Sequence, residues 1–156
     1  MLNAEVFAKL ILSYGSFSHK KVQKLAYYVY CWYLTLYGEK IVDINFEAWV
    51  HGPVSPEIYY MYKNYGWKKI PKYEGSIEVN IGLQRKVSRI LAEYCEKSAD
   101  ELEQTTHQEE PRISARKGRK KYQPCKEVIK DEDIVRYYRK TELFSKFENE
   151  IKNKSN

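Results

Sequence analysis

Asn3 stands at a helix-cap position, with Val6, Phe7, Leu10 and Ile11 behind it at helical spacing and Gly15 as a stop. Ser18 opens a second predicted helix that runs to Tyr37, with Gly38 just past its end. Val22, Leu25, Val29, Trp32 and Leu36 mark one face, and Tyr27, Tyr28, Tyr30 and Tyr33 fill the others. A helix that is apolar all round is either buried on several sides or offers an aromatic face to a partner. Ile44, Phe46 and Ala48 then alternate with Asn45, Glu47 and Trp49, which predicts a strand over 44–50. Gly52, Pro53 and Pro56 are expected to break it, since proline cannot continue a ladder. Ser55, Pro56 and Glu57 start a helix that continues through 58–65 and stops at Gly66. Residues 67–80 read as loop, with a short strand at 76–79 placed to pair with 44–50. A helix over 81–96 follows, with Leu83, Val87, Ile90, Leu91 and Tyr94 on its face. Ser98 and Glu101 have capping-box spacing and start another. Residues 110–126 read as a basic loop. Asp131 caps a last helix carrying Ile134, Tyr138, Phe144, Phe147 and Ile151, and residues 152–156 should fray. The pattern predicts a mainly α, compact helical domain with a small β-hairpin or a short two-to-three-stranded sheet. There is no internal repeat and no Gly/Ser linker, so one domain is expected over 1–140, with 141–156 as helix end and tail.

Composition supports a folded chain: 156 residues suit one domain, with 43% hydrophobic and 31% charged residues. No apolar run approaches the roughly 20 residues that span a bilayer. The first residues carry no basic region and no small-residue cleavage site, so no signal peptide is expected. Cys31, Cys95 and Cys125 are odd in number and far apart, which argues against a disulfide framework. These features predict a cytoplasmic protein with no membrane contact. The net charge of +6 changes the picture only locally. Residues 112–126 hold seven basic side chains and no acid, whereas 93–110 hold seven acids against Lys97. The basic character is one segment beside an acidic one, not a surface-wide property. Aromatic residues are uneven too: ten of the 15 tyrosines precede residue 66.

Candidate chemistry is sparse. There is no CxxC and no HExxH, so no metal site is expected. His107, Glu109, Pro124 and Cys125 share part of the zinc-deaminase spacing, but position 128 is Val where a second cysteine is needed. No nucleophile elbow and no phosphate-cradling glycine pattern is present, and Cys31 reads as a small core hydrophobe. We therefore expect no cofactor and no catalysis. The basic run grips phosphate or an acidic protein surface, or is a solvated loop balancing 93–110. Only Tyr122 interleaves it, which is poor for stacking nucleic acid. The residues expected to meet a partner are Tyr27, Tyr28, Tyr30, Tyr33, Tyr59 and Tyr60, together with Arg116, Lys117, Arg119 and Lys120.

Three blocks resemble a known family. The run Lys21-Val22-Gln23-Lys24-Leu25-Ala26-Tyr27-Tyr28, then Trp32, Leu34, Tyr37 and Gly38, resembles the opening of the Panacea (SocA-like) antitoxin domain. Phe46-Glu47-Ala48-Trp49-Val50-His51-Gly52-Pro53-Val54-Ser55-Pro56, with Tyr59 after it, resembles that family's A-W-x-x-G-P-V-x-P motif. Thr106-His107-Gln108-Glu109-Glu110-Pro111, then Ala115-Arg116, is similar to the third block, with Arg112 where that block has Trp. The resemblance implies a mostly helical domain that binds and neutralises a protein toxin encoded by the adjacent gene. Many such toxins stop translation, toxic small alarmone synthetases among them. It implies a type II toxin–antitoxin system of bacteria or prophages, and a homo-oligomer or a heterotetramer with the toxin. It brings no catalytic residue. Lys24, Trp32, Trp49, Gly52, Pro53, Val54, Pro56, His107 and Pro111 are its structural motif residues here. Physically, Gly52-Pro53 makes a turn, Trp49 and Tyr59 should pack on Tyr27 or Tyr28, and His107 should hydrogen-bond that turn. Two other readings stand beside it: a nucleic-acid-binding regulator using 112–126, and an adaptor that delivers a toxin to a Clp protease.

Overall fold

A computed structural model describes residues 1–154 of the chain. Local signals set most helix starts. Asn3 caps α1 (Ala4–Leu12), accepting from the Val6 N–H at 2.8 Å, and Ser18 caps α2 (His19–Tyr37) in the same way. Gly38 ends α2 in the left-handed region at φ +71°. Ser55 caps α3 (Pro56–Tyr62), which tightens into a 3-10 turn (Lys63–Tyr65). Asn80 caps α4 (Ile81–Leu91), and the capping box of Ser98 and Glu101 opens α5 (Ala99–Gln108). Then come α6 (Glu110–Ala115), α7 (Asp131–Tyr138) and α8 (Glu142–Lys154). Four short strands, β1 (Phe17–Ser18), β2 (Glu47–Trp49), β3 (Gly52–Val54) and β4 (Lys69–Ile70), form two antiparallel pairs, β1–β4 and β2–β3.

α2 is the hub. α1, α3, α4, α5, α7, α8, β1 and β3 all pack on it, so every face of the helix is buried. Trp32 lies against the rings of Tyr138 and Phe147 at 5.0 and 4.9 Å and donates its indole N–H to the Tyr94 hydroxyl at 2.6 Å. Tyr28 stacks on Tyr94 at 4.1 Å.

Several expectations need correction. Gly52 and Pro53 do not end the sheet; they form β3, which returns antiparallel to β2 after a turn at Val50 and His51. Ala48, opposite Pro53, donates its N–H to the Glu127 carbonyl and offers its own carbonyl to Arg116. That pair is therefore a non-hydrogen-bonded one, and proline's missing N–H costs the ladder nothing. Residues 76–79 are not a strand. Both edges of β2 are already taken, by β3 and by the segment that hydrogen-bonds Ala48 and Phe46 through Glu127 and Ile129. α4 stops at Leu91, and turns over 92–96 carry Tyr94 into the core. The expected loop at 110–126 begins as α6, with Pro111 in its first turn. The last helix is two helices. The Thr141 hydroxyl accepts from the Phe144 N–H and starts α8, while Asp131 leaves the cap of α7 to Lys130 and accepts from the Tyr30 hydroxyl. Residues 152–154, expected to fray, are the last turn of α8, and 155–156 lie outside the described residues.

Candidate partner-binding site

The GPVSP motif is clamped onto the first turns of α2. Gln23 reads the Ser55 backbone both ways, donating to its carbonyl at 3.0 Å and accepting its N–H at 2.8 Å. Lys24, only 1% exposed, donates its ammonium to the Pro53 carbonyl at 3.0 Å. Burial pushes the Lys24 pKa down to about 7. Its stem fills the space under Gly52, where a Cβ would lie 2.5 Å from Lys24 Cε. Gly52 has φ +107°, so the position needs glycine twice over.

The second half of the chain holds the hairpin from outside. Arg112 donates through Nη2 to the carbonyls of Trp49 and Val50 at 2.8 and 3.1 Å. Arg116 donates to the carbonyls of Ala48, Lys120 and Gln123 at 2.8, 2.9 and 2.7 Å. His107 does not make the expected bond to the turn. Its Nε2 is buried without a partner, and burial, then Arg112, hold its pKa down near 4. The tie is carried by Arg112, whose guanidinium supplies the several donors that neighbouring carbonyls require. Arg112 and Gln23 thus hold the motif in place and lie outside the expected set. The signal for Arg112 was its place four residues before Arg116 in a segment that Pro111 starts as a helix.

The tyrosines of α2 are not a free surface, which corrects the expectation for Tyr27, Tyr28, Tyr30 and Tyr33. All four are buried, and three of their hydroxyls find partners inside the fold: Tyr28 on Glu109, Tyr30 on Asp131, Tyr33 on Glu39. Trp49 and Tyr59 pack on each other at 5.0 Å, and Tyr59 on His19 at 5.3 Å, rather than on Tyr27 or Tyr28. Strand alternation explains this: Phe46 and Ala48 turn inward, and Phe46 is the ring that meets Tyr27. Arg116 is likewise internal, and Lys117 and Arg119 face Glu127 at 3.4 and 3.9 Å. Lys120 and Tyr60 are exposed. Val54 and Pro53 are buried; Pro56 and Pro111 sit in the first turns of α3 and α6. Exposed aromatic rings lie elsewhere: Tyr60 at 67% exposure, Trp67 at 86% and Tyr65 between them, on and after α3; Tyr122 at 75% in the basic segment; and Tyr14 after α1.

Glu109, partly buried, reaches two tyrosines of the aromatic core. Its Oε1 accepts from the hydroxyls of Tyr28 and Tyr138, both at 2.8 Å. Burial raises its pKa from the ordinary 4.5 to about 7. Between those values the folded chain keeps a proton that the unfolded chain has released. Stability from this group is therefore full below 4.5 and is lost as pH rises to about 7. Glu109→Gln should flatten that slope. Melting temperatures taken across the interval should fall more for the wild type than for the variant, and parallel curves would show that Glu109 does not fold as the neutral acid.

Among the described residues no group of three or more His, Cys, Asp or Glu side chains could hold a metal ion. No helix of the described residues is long and apolar enough to cross a membrane. No curated protein and no solved structure matches this chain. A family model described as "Antitoxin SocA-like, Panacea domain" matches residues 22–112, from the first turns of α2 through the hairpin to Arg112. That is more than half of the chain, and it takes in Gln23, Lys24, the hairpin they clamp and the guanidinium that closes on it. The chain belongs to the family of SocA-like antitoxins, the Panacea domains.

Proposed function

We propose that the protein is a cytoplasmic antitoxin of a bacterial type II system, which neutralises a toxin from the adjacent gene by binding it directly and without catalysis. One domain over 1–140 carries the role, and the toxin is of the class that stops translation, with toxic small alarmone synthetases as candidates. Membership in the antitoxin family supports the role. The observation that supports a contact there is the exposure of Tyr60, Tyr65 and Trp67, with exposed Lys63, Lys68, Lys69 and Lys72 close to them in the chain. Exposed Trp and Tyr are the side chains that dominate protein interfaces, and the neighbouring lysines favour an acidic rim on the partner. The nucleic-acid reading loses ground, because Arg112 and Arg116 are spent on backbone carbonyls and Lys117 and Arg119 face Glu127.

The test is co-expression with the neighbouring gene. That gene should arrest growth alone and be silenced by this protein; a harmless neighbour sinks the reading. Replacing Tyr60 and Trp67 together by alanine should weaken the complex by about 10–100-fold. The melting temperature of the free protein should stay put, since both rings are solvent-facing. Undiminished binding by the double variant would move the footprint elsewhere.

A further inference from the structure

The segment 126–130 lies beside β2 and leaves its far edge open. Ala48 donates its N–H to the Glu127 carbonyl at 2.9 Å, and Ile129 donates to the Phe46 carbonyl at 2.8 Å. Between these two bonds, Glu47 and Val128 stand opposite each other as an antiparallel bridge. In that register the N–H and carbonyl of Val128 point away from β2. Among the described residues neither has a hydrogen-bond partner, and the Lys126 N–H and carbonyl and the Lys130 N–H have none either. Lys126, Val128 and Lys130 are all exposed, while Ile129 turns the other way into the core. The two lysines form no ion pair among the described residues: Glu127 faces Lys117 and Arg119, and Glu47 accepts from the Trp49 indole. A cleft of about 230 Å³ opens at the start of the segment, lined by Trp49, Val54, Pro124 and Cys125 and bordered by Lys126. That is below the roughly 300–1,000 Å³ of small-molecule sites, so the cleft suits a single apolar side chain.

We propose that an extended segment of the partner toxin adds to this edge as a further strand, with acids flanking a β-branched residue. Unpaired strand edges are where extended peptides dock; backbone bonds give affinity and side-chain pockets give specificity. The residue opposite Val128 exchanges both hydrogen bonds with it. The positions two before and two after that residue face Lys130 and Lys126, where opposite charges stabilise and like charges repel. Charge also tells against a second copy of this chain as the occupant. Antiparallel self-pairing centred on Val128 sets Lys126 against Lys130 of the second copy at both ends. Two residues beyond the acid opposite Lys126, the added strand passes Pro124, and an apolar side chain there meets the cleft. The edge rests on the antitoxin reading only for the identity of the partner.

The test uses the full chain and needs no toxin. The probe is acetylated, amidated Glu-Thr-Val-Thr-Glu-Thr-Leu, read by NMR at the amides of Lys126, Val128 and Lys130. Those signals should shift saturably, and hydrogen exchange at Val128 should slow. A peptide with lysine in place of both glutamates should bind at least about tenfold more weakly. Val128→Pro removes only the outward N–H, and should leave no binding detectable at the other two amides. Lys126→Glu combined with Lys130→Glu should reverse the preference between the two peptides, and serves if Val128→Pro does not fold. No saturable shift at Val128 overturns the proposal, and so does equal binding of the two peptides. Shifts at Val128 that grow with protein concentration alone would mean that a second copy covers the edge, which overturns it too. A harmless neighbouring gene leaves this result untouched, and a silent titration leaves the antitoxin role untouched.

Discussion

Gly52→Ala is expected to destabilise the protein by about 3–5 kcal/mol, with φ strain and steric overlap adding. At φ +107° an L side chain is strained wherever it stands. The added methyl would lie 2.5 Å from Lys24 Cε and 3.0 Å from Thr106 Oγ1. Neither neighbour has room to leave. Lys24 is buried and tied to Pro53 at 3.0 Å, and Thr106 is buried with its hydroxyl on the Glu103 carbonyl at 2.7 Å. The hairpin must therefore lift off α2, and the Gln23–Ser55 pair opens with it. For a chain of this size the melting temperature should drop by roughly 10 °C. A variant melting within about 2 °C of the wild type would show that the clamp is slack.

Arg116→Met is expected to cost about 3–5 kcal/mol. The guanidinium joins three carbonyls from separate parts of the chain, Ala48 on β2 and Lys120 and Gln123 in the loop after α6. Its removal leaves the Ala48 carbonyl beneath the hairpin without a donor. Lysine should not rescue it, because an ammonium cannot match the planar fork that spans both segments. Equilibrium unfolding in denaturant checks both variants; wild-type stability in Arg116→Lys would show that one donor suffices.

Helix starts were legible because a cap is a local device: Asn3, Ser18, Ser55 and Ser98 each bond a backbone N–H three residues on. The hairpin was not, because whether Pro53 interrupts a ladder depends on where the Ala48 N–H goes. It goes to Glu127, far along the chain. The tyrosine-rich helix left two readings open for the same reason. Its pattern marks it as apolar all round, but the rings that cover it come from Tyr94, Tyr138 and Phe147. Within the basic run, charge alone could not separate Arg112 and Arg116 from the lysines after them. α6 does so by placing positions four apart on the face that meets the hairpin. The exposed pair Tyr60 and Trp67 was half visible as a candidate contact, since Tyr60 lay in the expected set and Trp67 did not.

The enclosure of α2 also sets a timetable for synthesis. The ribosome makes this helix well before its cover: the hydroxyl of Tyr30 meets its partner Asp131 only 101 residues later, and Phe147 follows later still. At ordinary elongation rates that interval is roughly 5–20 s. Throughout it the most aromatic helix of the chain lacks its final cover. The emerging antitoxin is thus at its stickiest before it is complete, and chaperone capture during those seconds bears directly on how much of it reaches the folded state.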